Sequence, residues 1–548
     1  MLNTVFPLKM LRSLTIISSF VLYTTACTPS SDSGEHPEQT LHLSIGASPQ
    51  ALDPHLIAGV PAMKVISSLF EPLLLMNTDT LQPEAGAAET WSVDDNGLRY
   101  VFKLRDNARW SDGSPVTAHD FVFTWQRILS PGIGHYYAQD FYPIIGAQQY
   151  HQGKSEDFSS VGVKALSDHQ LEFSLHSPDP LFLKRLTHDT TSPVQKANIL
   201  SFGTIDNPVS RWTQPPNMVS NGPFMLTRWE LNKVLVAEKN PHYWKHSAVT
   251  LERIVFYPNE DTAVEERMFR SGQLQVAYGG SVPAEKIATY RQQAPDKLVI
   301  TDSYATYYYD FNTQRPPFNN VDVRKAFAFA VDREKIVEKI AKAGQQPAYT
   351  LSPVDDFFQP SSALEFNPEK ARDFLAAAGY PNGEGFPIAT LIYNTHEQHR
   401  KVSIALQQMW KKHLNVEVQI ENQEWKVFLG TRRQHDFDIA RDGSSSTFAD
   451  PMDFLTTYTT GHELNTPNWQ NPEFDALLVK ARVETDFEKR MTLLEQAETL
   501  FMEHMPVVPL YYYAYSYLIS PEVKGMKFNR IEKPDYRAIS IDKSSKEH

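Results

Sequence analysis

The chain has 548 residues, one cysteine and a net charge of −13, from 52 basic and 65 acidic side chains. This length is too great for a single hydrophobic core and predicts two or three domains. The acidic balance argues against nucleic acid or an anionic lipid surface as the main partner, and a single cysteine cannot form a disulfide within the chain.

The first 26 residues have the features of a secretory signal peptide. Lys9 and Arg12 precede an apolar run over residues 14–23, which is followed by small residues. Cys27 comes next, an arrangement that resembles the lipobox of bacterial lipoproteins. We therefore predict lipidation of Cys27 and a flexible linker over residues 27–39. The alternatives are plain secretion and a noncleaved anchor, for which the apolar run is well short of the ~20 residues of a spanning helix.

The rest of the chain alternates short strands with amphipathic helices, which predicts an α/β protein. Residues 40–45 alternate in polarity like a first strand. Thr117 and Asp120 form a capping box ahead of an apolar helix. Further helices are predicted from apolar periodicity and from end signals over 321–337, 368–379 and 485–504.

Signatures of catalysis and of metal binding are missing from the sequence. It has no Gly-x-Ser-x-Gly turn, no Walker A sequence and no Gly-x-Gly-x-x-Gly turn. His396 and His399 are one residue too close for the zinc-helix spacing. Glu265 and Glu266 lie beside two arginines, and we interpret this segment as a solvated helix face. We therefore expect no enzyme activity, no metal and no cofactor.

Five segments together resemble one protein family. The first segment is an Asp-Gly turn that leads into the capped helix. The set resembles the large extracytoplasmic solute-binding proteins of peptide ABC transporters (family 5), and its last segment is most similar to the oligopeptide-binding members. The resemblance runs in the same order from about residue 40 to the end. The segments are residues 109–121, 221–224, 240–244, 317–326 and 421–441.

This resemblance implies a two-lobed α/β fold, the type II periplasmic-binding-protein fold of the large, cluster C-like class. An extra third domain and a hinge between the lobes would complete it, with the ligand cleft between the lobes. The hinge strands would cross at the tyrosine-rich runs 304–309 and 511–517. The implied segments are 40–70, 198–304 and 515–548 for lobe I, 71–197 for the extra domain, and 305–514 for lobe II.

The resemblance also implies which residues contact the ligand. Arg441, His399 and Arg432 match positions that bind a peptide carboxylate, which needs a cation when it is buried. For the two arginines, surface ion pairing is the alternative interpretation. The other matched positions line the cleft: Trp425 lines a side-chain pocket, and Val60, Tyr137, Tyr278 and Gly443 form the walls.

Thr447 is the main departure from the family. Family members have an Asp at this position that binds the free α-amino group, whereas threonine has no charge to neutralise an ammonium. Asp442 or Asp450 could substitute if the loop follows a different path. We hypothesise that the ligand is peptide-like with a blocked, distant or absent α-amine, such as a murein peptide.

The resemblance predicts a substrate-binding lipoprotein that captures oligopeptides and delivers them to the transmembrane subunits of an ABC permease. It implies a monomer that is tethered through Cys27 to a bacterial membrane, in the periplasm or at the cell surface. The same fold could instead bind a murein peptide, nickel, heme or an opine. A nutrient-sensing surface lipoprotein without a permease also stays open, whereas an enzyme is disfavoured because no nucleophile–base or metal arrangement is visible.

Overall fold

The structure is a computed structural model that describes residues 39–57, 59–135, 137–462 and 464–546. The predicted signal peptide, the predicted lipidation site Cys27 and most of the predicted linker lie outside the described residues. None of the helices in these four ranges combines the length and the apolar character that crossing a bilayer requires.

The described residues form strands and helices in alternation, as the sequence predicts. The strands are β1 Thr40–Gly46, β2 Leu74–Met76, β3 Pro83–Ala85, β4 Ala88–Val93, β5 Arg99–Leu104, β6 Val163–Ser167, β7 Gln170–Ser174, β8 Phe224–Glu230, β9 Val234–Lys239, β10 Arg253–Pro258, β11 Val276–Ala277, β12 Leu298–Phe311, β13 Gln346–Pro347, β14 Ala389–Asn394, β15 Val418–Gln423, β16 Ile439–Ser445, β17 Val507–Ile519, β18 Val523–Lys524 and β19 Ser540–Ile541. The α-helices are α1 Val60–Leu69, α2 Ala118–Ile128, α3 Ala147–His151, α4 Phe182–Arg185, α5 Lys196–Ser201, α6 Thr262–Arg270, α7 Ala284–Gln293, α8 Val321–Phe329, α9 Arg333–Ile336, α10 Pro368–Ala377, α11 Glu397–Leu414, α12 Trp425–Arg433, α13 Met452–Leu455, α14 Pro472–Val483 and α15 Phe487–His504.

One mixed sheet of eleven strands runs through the molecule in the order β15-β14-β16-β12-β17-β11-β1-β10-β9-β8, with β13 paired to β17. Strand β1 is parallel to β10 and β11, and β14 is parallel to β15 and β16. Strand β12 is antiparallel to both β16 and β17. A separate antiparallel sheet has the order β4-β5-β7-β6. Parallel pairs therefore lie on both sides of an antiparallel centre, and the β10-β9-β8 end of the sheet is antiparallel as well.

Three large hydrophobic cores pack on these sheets. The lobe I core lies on β1 and β8–β10 and contains Leu43 and Trp212. The extra-domain core lies between the four-stranded sheet and α2 and contains Trp125. The lobe II core joins β12, β14, β16 and β17 to α8, α10, α11, α14 and α15 and contains Trp410. Phe123, within the range predicted for the extra domain, packs in the lobe I core. The segment boundaries derived from the sequence stay predictions.

Strands β12 and β17 connect the cores of lobe I and lobe II. Residues 298–302 pair with 514–518, and pairing resumes where 306–310 face 507–512. The register shifts between these two stretches. A break in the hydrogen-bonded ladder loosens a sheet locally, so this interruption is where a hinge between the lobes is expected.

Several predicted elements are confirmed. Strand β1 forms where the sequence predicts it, although both of its faces are buried, and α2 begins at the predicted capping box, where the Asp120 carboxylate accepts from the Thr117 N–H at 2.9 Å. Helix α10 starts at Pro368 and ends just before Gly379, whose φ of +95° suits glycine. Helix α15 ends at His504, before a proline. Local end signals therefore located these boundaries.

The single helix predicted over 321–337 is wrong, because the chain breaks between α8 and α9. Asp332 caps α9 by accepting from the Lys335 N–H at 3.0 Å. The buried Arg333 guanidinium donates to the carbonyls of Ala328 and Val331 at 3.3 and 3.1 Å. The apolar spacing continues through the break because both helices pack on the lobe II core, so periodicity alone could not reveal it.

The interpretation of Glu265 and Glu266 as a solvated face is also wrong, since both side chains are buried. Glu265 accepts from the Gly279 N–H at 2.7 Å and from the Ser44 hydroxyl. Glu266 pairs with Arg270 at 3.2 Å. The partners of Glu265 come from distant parts of the chain, and a local charge pattern contains no information about them.

Candidate functional site

Arg441 lies on β16, opposite Tyr309 of β12, in the centre of the long sheet. Its guanidinium sits over the Tyr307 ring, 4.7 Å from the centroid, and donates to Tyr513 Oη at 2.8 Å. In the described part of the chain, Arg441 has no ion pair with a carboxylate, and its buried Nε has no hydrogen-bond acceptor. A cation that is held by phenols keeps its charge for an incoming anion, and guanidinium geometry matches a carboxylate.

His399 contacts the same tyrosine as Arg441. It lies in the first turn of α11, which His396 caps, and its Nδ1 is 3.0 Å from Tyr307 Oη. Burial, with added repulsion from Arg441 and His396, lowers the pKa of His399 to about 3. The imidazole is therefore neutral at neutral pH, and beside Arg441 it serves as a hydrogen-bonding group and not as a second cation.

Arg432 is in a different situation, because two carboxylates already engage it. This residue of α12 donates to Asp310 at 3.0 Å and to Asp442. It also donates to Thr466 Oγ1 at 3.0 Å. Burial, together with the nearby Asp442 charge, raises the pKa of Asp310 to about 7. That Arg432 binds a ligand carboxylate stays a prediction. Its observed partners are Asp310 of β12 and Asp442, the residue that follows Arg441 on β16.

Four tyrosines of β12 and β17 form an aromatic wall around Arg441. Tyr307 stacks on Tyr511 at 4.7 Å between centroids, and Tyr513 packs edge-on against both. Tyr309 Oη bonds to Ser403 at 2.9 Å. The period of two along a strand puts alternate residues on one face, so the alternation in the two tyrosine runs is the signal that could have identified this wall.

Val60 and Thr447, two predicted site residues, meet at a second location. They line a cavity of about 60 Å³ together with His188, Phe448, Glu532 and others. The cavity lies where α1 of lobe I, the 187–189 turn of the extra domain and the loop after β16 come together. The structure therefore brings the sequence-predicted residues together in two groups, one at Arg441 and one at Thr447.

Tyr137 and Tyr278 border the second group. Tyr137 packs edge-on against His188 at 4.8 Å, and the buried Tyr278 donates to the Glu532 carbonyl at 2.9 Å. Glu532 itself has no family motif around it, and nothing in the sequence indicates its place beside Thr447.

The other two predicted residues have contrasting surroundings. Gly443 is exposed beside Arg441, where an added Cβ would lie 3.4 Å from the Arg441 guanidinium and 3.1 Å from Tyr513 Oη. Glycine thus leaves room next to the cation. Trp425 at the start of α12 is 50% exposed and stacks on Phe428 at 6.1 Å between ring centroids, so half of its surface is accessible for contact.

The two acids that could replace the family's Asp are both engaged. Asp450 is buried and accepts two hydrogen bonds of 2.8 Å from Arg490. Asp442 binds Arg432 and accepts from Tyr308 Oη at 3.2 Å. Among the described side chains, no group of three or more His, Cys, Asp or Glu is arranged to hold a metal ion.

Comparison with known proteins identifies the family of this chain. The sequence profile of the bacterial extracellular solute-binding proteins, family 5, middle region, matches residues 82–465. The chain belongs to this family. The predicted resemblance and the predicted two-lobed α/β fold are thereby confirmed.

Individual relatives cover nearly the whole chain. The periplasmic oligopeptide-binding protein OppA of Escherichia coli (strain K12) is 37% identical over 497 residues, which is 89% of this chain and 90% of OppA. The unliganded open form of the murein tripeptide-binding protein MppA aligns with a TM-score of 0.81 at 33% identity, over 92% of this chain and 98% of MppA. OppA of Haemophilus influenzae, in complex with the peptide RPPGFSPFR, aligns with a TM-score of 0.72 at 29% identity, over 93% of this chain and all of that protein.

Proposed function

We propose that this protein is the substrate-binding component of an ABC importer and that it captures oligopeptides between its two lobes. The observation that carries the proposal is Arg441, a largely enclosed cation that tyrosines hold and that has no carboxylate at ion-pair distance among the described residues. A peptide carboxylate would bind Arg441 and accept from the neutral His399 ring. The similarity to OppA and MppA, whose names specify peptide ligands, supports this assignment.

Capture would involve rotation of the lobes about the break between the two paired stretches of β12 and β17. The alignment with the unliganded open form of MppA supports an open starting state. Closure on a peptide would bury its main chain between the walls and give the permease a distinct shape to recognise.

As a member of an extracellular solute-binding family, the protein works outside the cytoplasm. We further propose that it is a monomer, that Cys27 is lipidated, and that the lipid tethers the body near the transmembrane subunits of the permease. Metabolic labelling with an alkyne fatty acid tests the anchor: wild type is expected to be labelled and C27A is not. Label on C27A would contradict the assignment of the lipid to Cys27.

A murein peptide is a second candidate ligand, favoured by the uncharged Thr447 and by the similarity to MppA. Native mass spectrometry of the protein purified from its own cells separates the two candidates. A ladder of heterogeneous peptides supports general oligopeptide capture. A single murein peptide supports the second candidate, and a single nonpeptide solute contradicts both.

A further inference from the structure

The cavity that Val60 and Thr447 line contains few charged groups. Asp189, Glu532 and Lys533 are the acidic and basic side chains among its described lining residues. Two of them neutralise each other, because Lys533 Nζ lies 3.0 Å from Asp189 Oδ1 and donates to the Thr187 carbonyl at 2.6 Å. His188 is neutral, since burial and the nearby Lys533 lower its pKa to about 3. Among the described lining residues, Glu532 has no partner of opposite charge, and its nearest cation is Lys64, which lies outside the lining at 3.9 Å.

Contacts on one side hold Glu532 in place. Tyr517 Oη donates to its Oε1, and Tyr278 Oη donates to its backbone carbonyl. Lys64 Nζ is 3.9 Å from Oε1, beyond hydrogen-bond distance, and is itself directed to the Tyr278 carbonyl. The side chain remains 13% exposed. The phenols of Tyr517 and Tyr515 therefore hold the carboxylate, and Glu532 is a lining residue of the cavity.

The backbone at Glu532 is unusual for a charged residue. Its φ is +55°, in the left-handed region that favours glycine and is strained for a side chain such as glutamate. Strained positions of this kind concentrate at functional sites, where another requirement outweighs the strain. A partly exposed carboxylate in the cavity that Thr447 also lines is such a requirement.

We propose that Glu532 accepts the ammonium group of the ligand, beside the position where Thr447 supplies no charge. This inference rests on the proposed function and specifies the ligand chemistry at one end of the cleft: a primary ammonium, from the peptide's α-amine or from an amino side chain. It opposes the hypothesis, based on Thr447 alone, of a ligand with a blocked or absent amine. Neither Asp450 nor Asp442 offers an equivalent carboxylate, because both are bound to arginines.

Three peptides in isothermal titration calorimetry test the inference. They are Ala-Ala-Ala, its N-acetyl form, and N-acetyl-Lys-Ala-Ala, which has only a side-chain amine. Wild type is expected to bind Ala-Ala-Ala at least tenfold more tightly than the acetylated form. Equal or tighter binding of N-acetyl-Ala-Ala-Ala overturns the inference. If N-acetyl-Lys-Ala-Ala binds as tightly as Ala-Ala-Ala, a side-chain amine also serves; if it binds as weakly as N-acetyl-Ala-Ala-Ala, the α-amine is the partner.

Two variants then assign the preference to Glu532. E532Q keeps the shape of the side chain, and E532G suits the left-handed backbone and is expected to fold even if E532Q does not. Both should abolish the preference for the free amine and leave the affinity for N-acetyl-Ala-Ala-Ala unchanged. E265Q is the matched control, because Glu265 also faces Lys64 but does not line the cavity, and it should retain the preference.

The variants separate two kinds of failure. If E532Q and E532G weaken both peptides equally, Glu532 has a structural role and the inference fails although the protein still binds peptides. The inference also fails if both variants retain the tenfold preference. If wild type binds none of the three peptides, the proposed function itself fails, and the inference fails with it.

Discussion

Two arginines on successive elements of lobe II have opposite partners. Arg432 is bound by Asp310 and Asp442, whereas Arg441 is surrounded by Tyr307 and Tyr513. A buried ion pair satisfies its own charges, whereas a cation held by neutral phenols retains an electrostatic interaction for a ligand. The two arginines, which the sequence could not distinguish, therefore differ in their observed partners, and the ligand-binding role of each stays a prediction.

Replacement of Arg441 tests this distinction. R441Q should weaken binding of a peptide with a free carboxylate by about 2–3 kcal/mol, roughly 30- to 150-fold, because a charge-assisted hydrogen bond is lost. The C-terminal amide of the same peptide should bind wild type and R441Q alike. R433Q, at an exposed position of α12, is the control for calorimetry. Equal losses for acid and amide would contradict a role for Arg441 in binding the carboxylate.

The binding of the ligand's amino end can be tested by adding a negative charge at position 447. T447D should raise the affinity for Ala-Ala-Ala about tenfold and leave its N-acetyl form unchanged, because a carboxylate in a partly buried cavity attracts an ammonium. S445D, which adds a charge at an exposed position of β16, should have little effect on either peptide. If T447D gives no gain in calorimetry, Thr447 does not lie at the amino end.

At the scale of elements, the loop after β16 depends on a distant helix. Asp450 in this loop forms two hydrogen bonds with Arg490 of α15, and both side chains are buried. Burial alone would raise the pKa of Asp450, but the Arg490 hydrogen bonds and charge hold it below its usual value. The helix thereby fixes the loop that carries Thr447.

Breaking this pair should destabilise lobe II. R490M leaves the Asp450 carboxylate buried without a partner, and such a change costs about 3–5 kcal/mol of unfolding free energy. Denaturant unfolding followed by circular dichroism measures it. K489M, at the exposed neighbouring position, should change stability by less than about 0.5 kcal/mol. Similar effects of the two variants would mean that the Asp450 pair does not hold the loop.

At the scale of the whole molecule, one sheet extends through both lobes, and its only shared long strands are β12 and β17 among the described residues. The lobes are therefore coupled through backbone hydrogen bonds in the middle of this sheet, and side-chain contacts such as that of Lys184 with the Phe448 carbonyl at 3.3 Å add to the connection. Such a connection permits a hinge rotation without loss of either core.

The free energy of unfolding should depend on pH through two buried groups whose pKa values shift in opposite directions, His188 and Glu498. In the unfolded chain, His188 is protonated below about pH 6.5. In the folded protein its pKa is about 3, so a decrease in pH favours the unfolded chain, which binds the proton more readily. Burial raises the pKa of Glu498 to about 7, so this group destabilises the fold as the pH increases from its unfolded value of 4.5. The two contributions offset each other between pH 5 and 7.

Two variants resolve these contributions in urea unfolding at pH 5 and pH 7. On going from pH 7 to pH 5, wild type should lose about 2 kcal/mol relative to H188Q and gain about 2 kcal/mol relative to E498Q. The comparison across pH removes the constant effect of each substitution. Changes of the same sign for both variants would contradict the assigned protonation states.

Much of the architecture was predictable from local sequence. Polarity alternation located β1, the capping box located α2, and glycine and proline end signals located α10 and α15. Each of these signals involves residues that are only a few positions apart, so it can be identified directly from the sequence. Motif matches likewise identified the family and pointed to Arg441 and Thr447.

The linear chain thus specifies the family, the two-lobed α/β fold and the helix and strand signals that act locally. Four other features become visible only in the folded molecule: Arg432 is neutralised, Asp450 is bound to α15, Glu265 is buried and Glu532 lies beside Thr447. The physical reason is the separation of the partners along the chain. Burial and charge pairing depend on residues that are far apart in sequence and that meet only when the cores and the long sheet have formed.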